Sequence, residues 1–234
     1  MRVFRVPGTC RAIIFDMDST LYTNDEYARA QIDLPIERLA RLKGKSPDEM
    51  RAEIDAYREK WAEGHRGQKI SLANAFVAFG VGIAESAKWR NELFNPERYL
   101  RRDARLRFTL ENLANRFIMA VVTNNPARVA ERTLDALGVG DLFHAVVGLD
   151  TCGVSKPHRE PFIRAATLCG VAPEACLSVG DRYDIDIALP LELGMGGILV
   201  DGVGDVYGLP ELLSGQEPHY KGADLWTRNL PTNA

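Results

Sequence analysis

The architecture of this chain can be inferred by starting from one segment, Ala12-Ile-Ile-Phe-Asp16-Met-Asp18-Ser-Thr-Leu-Tyr22. Its first four residues are apolar and partly β-branched, which predicts a short buried strand that ends at Asp16. In an open α/β sheet, ligands bind at the carboxyl ends of the strands, so Asp16 and Asp18 stand where a site is expected. Residues i and i+2 of an extended chain point the same way, so both carboxylates can face one cavity. Two anions that close repel each other unless a cation or a shared proton intervenes.

Three later segments also place polar residues directly after apolar runs. The runs predict strands over residues 117–122, 145–149 and 176–179. The polar residues that follow these strands include Thr123 and Asn124, then Lys156, then Asp181 and Asp186. Each segment by itself also fits a bland interpretation, namely a polar turn or a helix cap. The ordered set of four, each at a predicted strand end, favours a functional site.

The four segments together closely resemble the four motifs of the haloacid dehalogenase-like phosphohydrolase superfamily. The resemblance extends from about residue 13 to about residue 201, with residues 22 to about 107 inserted after the first motif. It implies an α/β fold: a Rossmann-like parallel sheet with helices on both faces, plus a small all-α cap domain inserted after the first motif, of the type called C1. It also implies a Mg²⁺-dependent phosphatase that works through an aspartyl-phosphate.

The resemblance assigns the catalytic and phosphate-binding roles. Asp16 would be the nucleophile, and Asp18 the general acid that protonates the leaving oxygen and then takes a proton from water. Thr123 and the backbone N–H of Asn124 would bind a phosphate oxygen. Lys156 would neutralise both the nucleophile and the phosphate, and thereby bind substrate as well.

The resemblance also implies a metal site. Asp16, the backbone carbonyl of Asp18 and Asp181 offer the hard oxygen ligands that suit Mg²⁺. Asp186 matches the second acid of the fourth motif, which holds the lysine or a metal-bound water. Asp184 fits a helix N-cap equally well, so its role stays open.

Two residues of the first motif distinguish branches of the superfamily. Dehalogenases lack the second aspartate because a halide leaves without a proton, so Asp18 favours a phosphatase. Tyr22, after Thr-Leu, resembles the signature of the pyrimidine 5′-nucleotidase-like group, although Ser19 stands where that group often has asparagine. Packing is the alternative role for Tyr22.

Helical periodicity dominates the inserted region. Apolar residues at helical spacing predict helices over residues 26–43, 48–63, 71–79 and 85–94. We therefore expect a helical cap over residues 22–95 and a core domain formed by residues 1–21 and 96–234. In the core, helices are predicted over 102–115, 126–137 (with Asn125 as N-cap candidate and Pro126 in the first turn), 160–169 and 187–193, and a further strand over 197–201. The tail from Glu217 is expected to hold at most one short edge strand.

A basic segment between two cap helices is the candidate for substrate specificity. Gly64-His-Arg66-Gly-Gln-Lys69 carries glycines that let a loop reach towards the site. Arg66 and Lys69 are its candidate substrate-binding residues, and a solvated loop is the alternative.

The composition is that of an ordinary soluble globular protein. The 234 residues are 46% hydrophobic and 26% charged, and 32 acidic against 29 basic residues give a net charge of −3. This balance gives no reason to expect nucleic acid as a partner. No apolar window suits a signal peptide or a membrane span, so a cytoplasmic protein without a membrane partner is expected. The four cysteines lack metal spacing and are expected to be reduced. A monomer and a homodimer are both open.

The function expected is Mg²⁺-dependent hydrolysis of a small phosphorylated metabolite of the nucleotide or sugar-phosphate type. A phosphomutase of the β-phosphoglucomutase type uses the same aspartyl-phosphate and is the alternative enzyme. A non-catalytic module that binds a phosphorylated ligand is the third possibility.

Overall fold

Six strands form one sheet in a computed structural model that describes residues 1–65, 67 and 69–216. The strands are β1 (Arg2–Arg5), β2 (Ala12–Phe15), β3 (Ile118–Val122), β4 (Ala145–Val147), β5 (Cys176–Gly180) and β6 (Gly196–Leu199). Their order across the sheet is β1-β6-β5-β2-β3-β4. All neighbours are parallel except β1, which runs antiparallel to β6. The sheet is therefore mixed, with the predicted parallel arrangement in five of its strands.

The register of the central strands brings the ends of three motifs together. Phe15, the last residue of β2, pairs with Val121 of β3 and with Val179 of β5. Because these strands are parallel, the polar residues that follow each of them emerge at the same edge of the sheet.

Twelve α-helices surround the sheet in the described part of the chain. They are α1 (Asp25–Lys43), α2 (Pro47–Gly64), α3 (Leu72–Ala78), α4 (Ile83–Leu93), α5 (Pro96–Tyr99), α6 (Ala104–Ala114), α7 (Ala127–Leu137), α8 (Leu149–Cys152), α9 (Arg159–Leu168), α10 (Ala188–Glu192), α11 (Val203–Val206) and α12 (Leu209–Leu212). In this described part, none of the helices has the length and apolarity needed to cross a membrane.

Both faces of the sheet are covered, as predicted. Ile13 and Phe15 pack in one buried cluster with leucines of α6 and α7, whereas Ala12 and Ile14 pack in a second cluster with Phe162 of α9. This alternation follows from the two-residue period of a strand. All four residues of β2 are apolar and buried, because the strand is covered on both faces.

The inserted region forms four helices with an apolar core of their own. This core contains Ile36, Leu39, Ala40, Met50, Ile54, Ala75, Phe76, Val81 and Trp89. The turn between α1 and α2 is encoded locally: Gly44 ends α1 in the left-handed conformation, and Ser46 and Glu49 form a capping box for α2. The helical cap is thus present, while its boundaries at residues 22 and 95 remain predictions.

Some elements differ from the sequence expectations. Strand β1 was not expected, because charged residues at both ends of a four-residue segment conceal an edge strand. Strand β4 ends at Val147, since Leu149 begins helix α8. The strand predicted over 197–201 covers Gly196–Leu199. The predicted edge strand after Glu217 lies outside the described residues.

Candidate active site

A buried lysine joins two of the predicted aspartates. The Nζ of Lys156 donates to Oδ1 of Asp16 at 2.6 Å and to Oδ1 of Asp186 at 2.7 Å. All three side chains are at most 3% exposed. Burial by itself would lower the pKa of Lys156, but Asp16 and Asp186 together outweigh it and raise this pKa. The lysine is therefore charged at neutral pH.

Three carboxylates at this edge of the sheet form a cluster suited to a cation. Asp16, Asp181 and Asp186 each offer one oxygen within 4.8 Å of the others. Among the described residues, Oδ2 of Asp16 and Oδ1 of Asp181 are buried and have no hydrogen-bond partner. Burial and the two neighbouring carboxylates raise the pKa of Asp181 to about 7. Carboxylate oxygens are hard ligands, so this cluster fits Mg²⁺ as a ligand set.

The backbone around β5 fixes Asp186 in this cluster. The hydroxyl of Ser178 donates to the backbone oxygen of Asp186 at 2.7 Å, and the N–H of Arg182 donates to its Oδ2 at 3.1 Å. A Cβ at Gly180 would lie 2.4 Å from the Cβ of Asp186. Only glycine therefore allows Asp186 to approach the end of β5 this closely.

Three donors hold the side chain of Asp18. The Tyr22 hydroxyl and the Gln31 Nε2, at 2.9 Å, donate to its Oδ1, and the Asn125 Nδ2 donates to its Oδ2 at 2.8 Å. Burial, and next the charge of Asp16, raise the pKa of Asp18. Ser19, the next residue, has a φ of 57°, in the left-handed region. This carboxyl group is thus oriented by residues of both the core and the cap.

A buried arginine of the cap, Arg90, is hydrogen-bonded to Asn125. The Nη1 of Arg90, in α4, donates to Oδ1 of Asn125 and to the backbone oxygen of Asn124, both at 3.0 Å. Arg90 is 8% exposed. Burial lowers its pKa to about 10, so the guanidinium is still charged at neutral pH.

The second and third motifs are tied together by an amide. The N–H of Lys156 donates to Oδ1 of Asn124 at 2.7 Å, and the Nδ2 of Asn124 donates to the Lys156 backbone oxygen at 3.2 Å. Thr123 is buried, and its Oγ1 accepts from the Asn125 N–H at 3.1 Å. This arrangement sets the lysine beside the end of β3.

A family model described as haloacid dehalogenase-like hydrolase matches residues 10–193 of the chain. The chain belongs to this family. Its relatives include a phosphoglycolate phosphatase of Aquifex aeolicus, which is 27% identical over 76% of this chain and 78% of that protein. A glyceraldehyde 3-phosphate phosphatase of Methanopyrus kandleri is 29% identical, over 79% of this chain and 81% of that protein.

A further relative and a solved structure extend the comparison. The 5-amino-6-(5-phospho-D-ribitylamino)uracil phosphatase YigB of Escherichia coli is 26% identical, over 83% of this chain and 85% of that protein. A crystal structure of a phosphatase of the family from Thermococcus onnurineus superposes with a TM-score of 0.59 and 21% identity, covering 88% of this chain and 99% of that one. The structural likeness supports the fold of this hydrolase: a Rossmann-like sheet with a helical cap.

One sequence expectation about the hydrolase was wrong: Asn125 is not the N-cap of α7. Pro126 occupies that position. The N–H of Ala127, in the first turn, donates instead to Oδ1 of Asp150 at 2.8 Å. Because a distant aspartate satisfies this donor, the Asn125 side chain can bond to Asp18 and Arg90.

The structure also adds residues that the sequence did not single out. Gln31 and Arg90 lie in cap helices, and no local motif marks either of them. Tyr22 was noted only as a family signature, with packing as the alternative, yet its hydroxyl reaches Asp18. The sequence could have indicated a role for Gln31 and Arg90 only through their position, as polar residues among the apolar residues of a helix.

The remaining candidates of the hydrolase are Asp184, Lys69 and Arg66. Asp184 is exposed within the turn Tyr183–Ile187, whose N-cap position is occupied by Arg182. Lys69 is exposed between α2 and α3. Two residues later, the Ser71 Oγ lies 3.2 Å from the Ser155 Oγ, next to Lys156. Arg66 lies outside the described residues.

Proposed function

We propose that this hydrolase cleaves a small phosphate monoester by transferring its phosphoryl group to Asp16. One observation carries the proposal: Lys156 is buried between Asp16 and Asp186, while the second oxygen of Asp16 is unpartnered among the described residues. The buried lysine places a positive charge 2.6 Å from one oxygen of Asp16, and the other oxygen is available as a nucleophile.

In the first step, Oδ2 of Asp16 attacks phosphorus and the bond from phosphorus to the ester oxygen breaks. Asp18 gives its proton to that leaving oxygen, so the product departs as an alcohol. In the second step, Asp18 takes a proton from a water molecule, which attacks the same phosphorus. The bond from phosphorus to Asp16 then breaks, inorganic phosphate is released, and both aspartates return to their starting states.

Thr123, the Asn124 backbone N–H and Lys156 are proposed to bind the phosphate oxygens, whose negative charge would otherwise repel the nucleophile. Asp16, Asp181, Asp186 and the backbone carbonyl of Asp18 would hold Mg²⁺. When bound, this ion supplies positive charge that stabilises the phosphoryl group in the transition state.

The proposed substrate is a small phosphorylated metabolite. The named relatives act on phosphoglycolate, on glyceraldehyde 3-phosphate and on a phosphoribitylamino-uracil. Because these three phosphoesters differ outside the phosphate, we propose a substrate class and no single member. Lys69 and Arg66 are proposed to contact the part of the substrate beyond the phosphate.

The test is a panel of phosphate monoesters assayed with Mg²⁺, covering nucleotides, sugar phosphates, phosphoglycolate and glyceraldehyde 3-phosphate. Wild-type protein should release inorganic phosphate from at least one member, and an Asp16→Asn variant purified in parallel should release none. Equal phosphate release by both proteins would refute the role of Asp16. Conversion of a sugar phosphate into its isomer without phosphate release would instead favour the phosphomutase.

A further inference from the structure

Arg90 makes an unusual contact between the cap and the core. Its guanidinium is buried, yet its described hydrogen bonds go to neutral oxygens of Asn124 and Asn125. Burying a charge without an ion-pair partner costs free energy, because the charge loses its hydration. Asn125, in turn, is 1% exposed and donates to Asp18.

We propose that Arg90 is a positioning residue that orients the general acid Asp18 through Asn125. The proposal rests on the proposed function, because it assumes that Asp18 protonates the leaving oxygen. It adds a residue of the cap to the catalytic arrangement, although that residue touches neither the phosphate nor the cation.

The argument depends on the two ends of the Asn125 amide. One end accepts hydrogen bonds and the other donates them, and the group can rotate to exchange the two. A guanidinium only donates, so Arg90 requires the oxygen of Asn125 to face it. The NH₂ group must then face Asp18 at 2.8 Å and the Gln31 Oε1 at 3.1 Å.

Without Arg90, the oxygen of the Asn125 amide loses the charged donor that fixes it. A rotated amide would present its oxygen to Asp18, where it would repel the carboxylate form and would accept a hydrogen bond from the proton of the acid form. Asp18 would then lose one of its three donors and turn away from the leaving oxygen. A small displacement of a catalytic group is enough to slow its proton transfer strongly.

The arrangement also connects the cap to the chemistry. Arg90 lies in α4 and Gln31 in α1, whereas Asn125 follows β3 of the core. Both cap side chains reach the Asn125 amide only when α1 and α4 lie against this loop. The general acid is therefore fully oriented only with the cap in place over the site.

The test compares esters that need a proton on the leaving group with esters that do not. For each protein, kcat/KM is measured on 2,4-dinitrophenyl phosphate and on the alkyl monoester that the wild type hydrolyses fastest. Dinitrophenolate departs without a proton, whereas an alkoxide requires one. The value of kcat/KM includes only the steps up to transfer of the phosphoryl group to Asp16. It therefore separates the use of Asp18 as an acid from its later use as a base.

Arg90→Met and Asn125→Ala should each lower kcat/KM for the alkyl ester by about 10- to 100-fold, a partial loss of the roughly 100- to 10,000-fold that acid catalysis contributes. For the dinitrophenyl ester, the loss should stay below about 3-fold, because no acid is needed. Arg90→Lys should lie between Arg90→Met and the wild type, and it replaces Arg90→Met if that variant does not fold. The double variant should lose no more than Asn125→Ala alone, since Arg90 acts through Asn125.

Two controls separate the possible failures. Arg38→Met removes another cap arginine, one that lies over Trp89 and pairs with Glu92, and should leave the ratio between the two esters unchanged. Asp18→Asn should slow only the alkyl ester; if it slows neither, the proposed role of Asp18 fails. A second outcome is that Asp18→Asn slows only the alkyl ester, whereas Arg90→Met and Asn125→Ala slow both esters equally. This outcome would overturn the positioning role of Arg90 and leave the proposed function standing.

Discussion

The Nζ of Lys156 lies 2.6 Å from Oδ1 of Asp16, although 140 positions separate the two residues in the chain. The contact is possible because β5, β2, β3 and β4 run parallel in the sheet, so the polar residues that follow these strands emerge at one edge. The same lysine also contacts Asp186, which a third segment supplies. The buried ammonium group of Lys156, in the third motif, therefore contacts residues of the first and fourth motifs.

Loss of the lysine charge should destabilise the metal-free protein. In Lys156→Met, Asp16 and Asp186 remain buried without their cation, and breaking a buried ion pair costs about 3 kcal/mol or more. Urea unfolding at pH 7 with a chelator present measures this difference. The matched control is Lys45→Met, whose partner Glu53 is exposed, and its stability should scarcely change. Equal unfolding free energies for the two variants would contradict the buried pairing.

The close approach of Asp186 to β5 predicts that Gly180→Ala is harmful. The added methyl would overlap the Cβ and Cγ of Asp186, at 2.4 and 2.7 Å, and displace this carboxylate. We expect a loss of about 1–3 kcal/mol in stability, as for overpacked sites, together with weaker Mg²⁺ binding. Gly204→Ala is the control, because nothing lies within 4 Å of its added carbon. Calorimetric titration measures Mg²⁺ binding by both variants. Unchanged binding by Gly180→Ala would place Asp186 outside the metal site.

The acidic cluster predicts how the stability of the metal-free protein depends on pH. Asp181 has a folded-state pKa of about 7, above its ordinary value of 3.8. The folded state therefore binds more protons than the unfolded state between these values, and stability falls as pH rises through this window. Burial also raises the pKa of Asp186, which acts in the same direction.

Melting temperatures measured with and without Mg²⁺ test this expectation. Without the ion, the protein should melt at a higher temperature at pH 5.5 than at pH 8. Added Mg²⁺ should raise the melting temperature more at pH 8, above the pKa of about 7 at which Asp181 loses its proton. Asp181→Asn should flatten the pH dependence. An Mg²⁺ effect that is equal at both pH values would argue against a carboxylate site.

Lys69 is predicted to affect substrate binding more than chemistry. If it contacts the substrate beyond the phosphate, Lys69→Met should raise KM several-fold, by roughly the worth of one exposed charge contact, and leave kcat unchanged. Lys60→Met, an exposed lysine of α2, is the control. Steady-state kinetics on the ester of the panel that is hydrolysed fastest measures KM for both variants. An unchanged KM in Lys69→Met would mean that Lys69 belongs to a solvated loop and does not contact the substrate.

The sequence predicted the parts of the site that depend on strand ends. Asp16, Thr123 and Asp181 each follow an apolar run, so a parallel sheet places all three at the same edge. Cap helices followed from apolar periodicity in the same way, because a helix face reveals itself over a few turns.

The rest depends on how the cap docks, which no local pattern encodes. Gln31 and Arg90 meet Asn125 only across the boundary between the inserted helices and the core. The local preference of asparagine for an N-cap pointed elsewhere, since Asp150 performs the capping from a distance. Strand β1 escaped prediction because its pairing with β6 is set by the sheet and not by its own short sequence.

The central claim is that Asp16 carries the phosphoryl group, and rapid acid quenching tests it most directly. Wild-type protein and Asp16→Asn are mixed with Mg²⁺ and a monoester that carries ³²P in its phosphate, then quenched in acid within the first turnover. The account predicts radioactive label bound to the wild-type chain on a peptide that contains Asp16, and none on the variant. Hydrolysis by the wild type without any labelled protein, or labelling of Asp16→Asn, would contradict it.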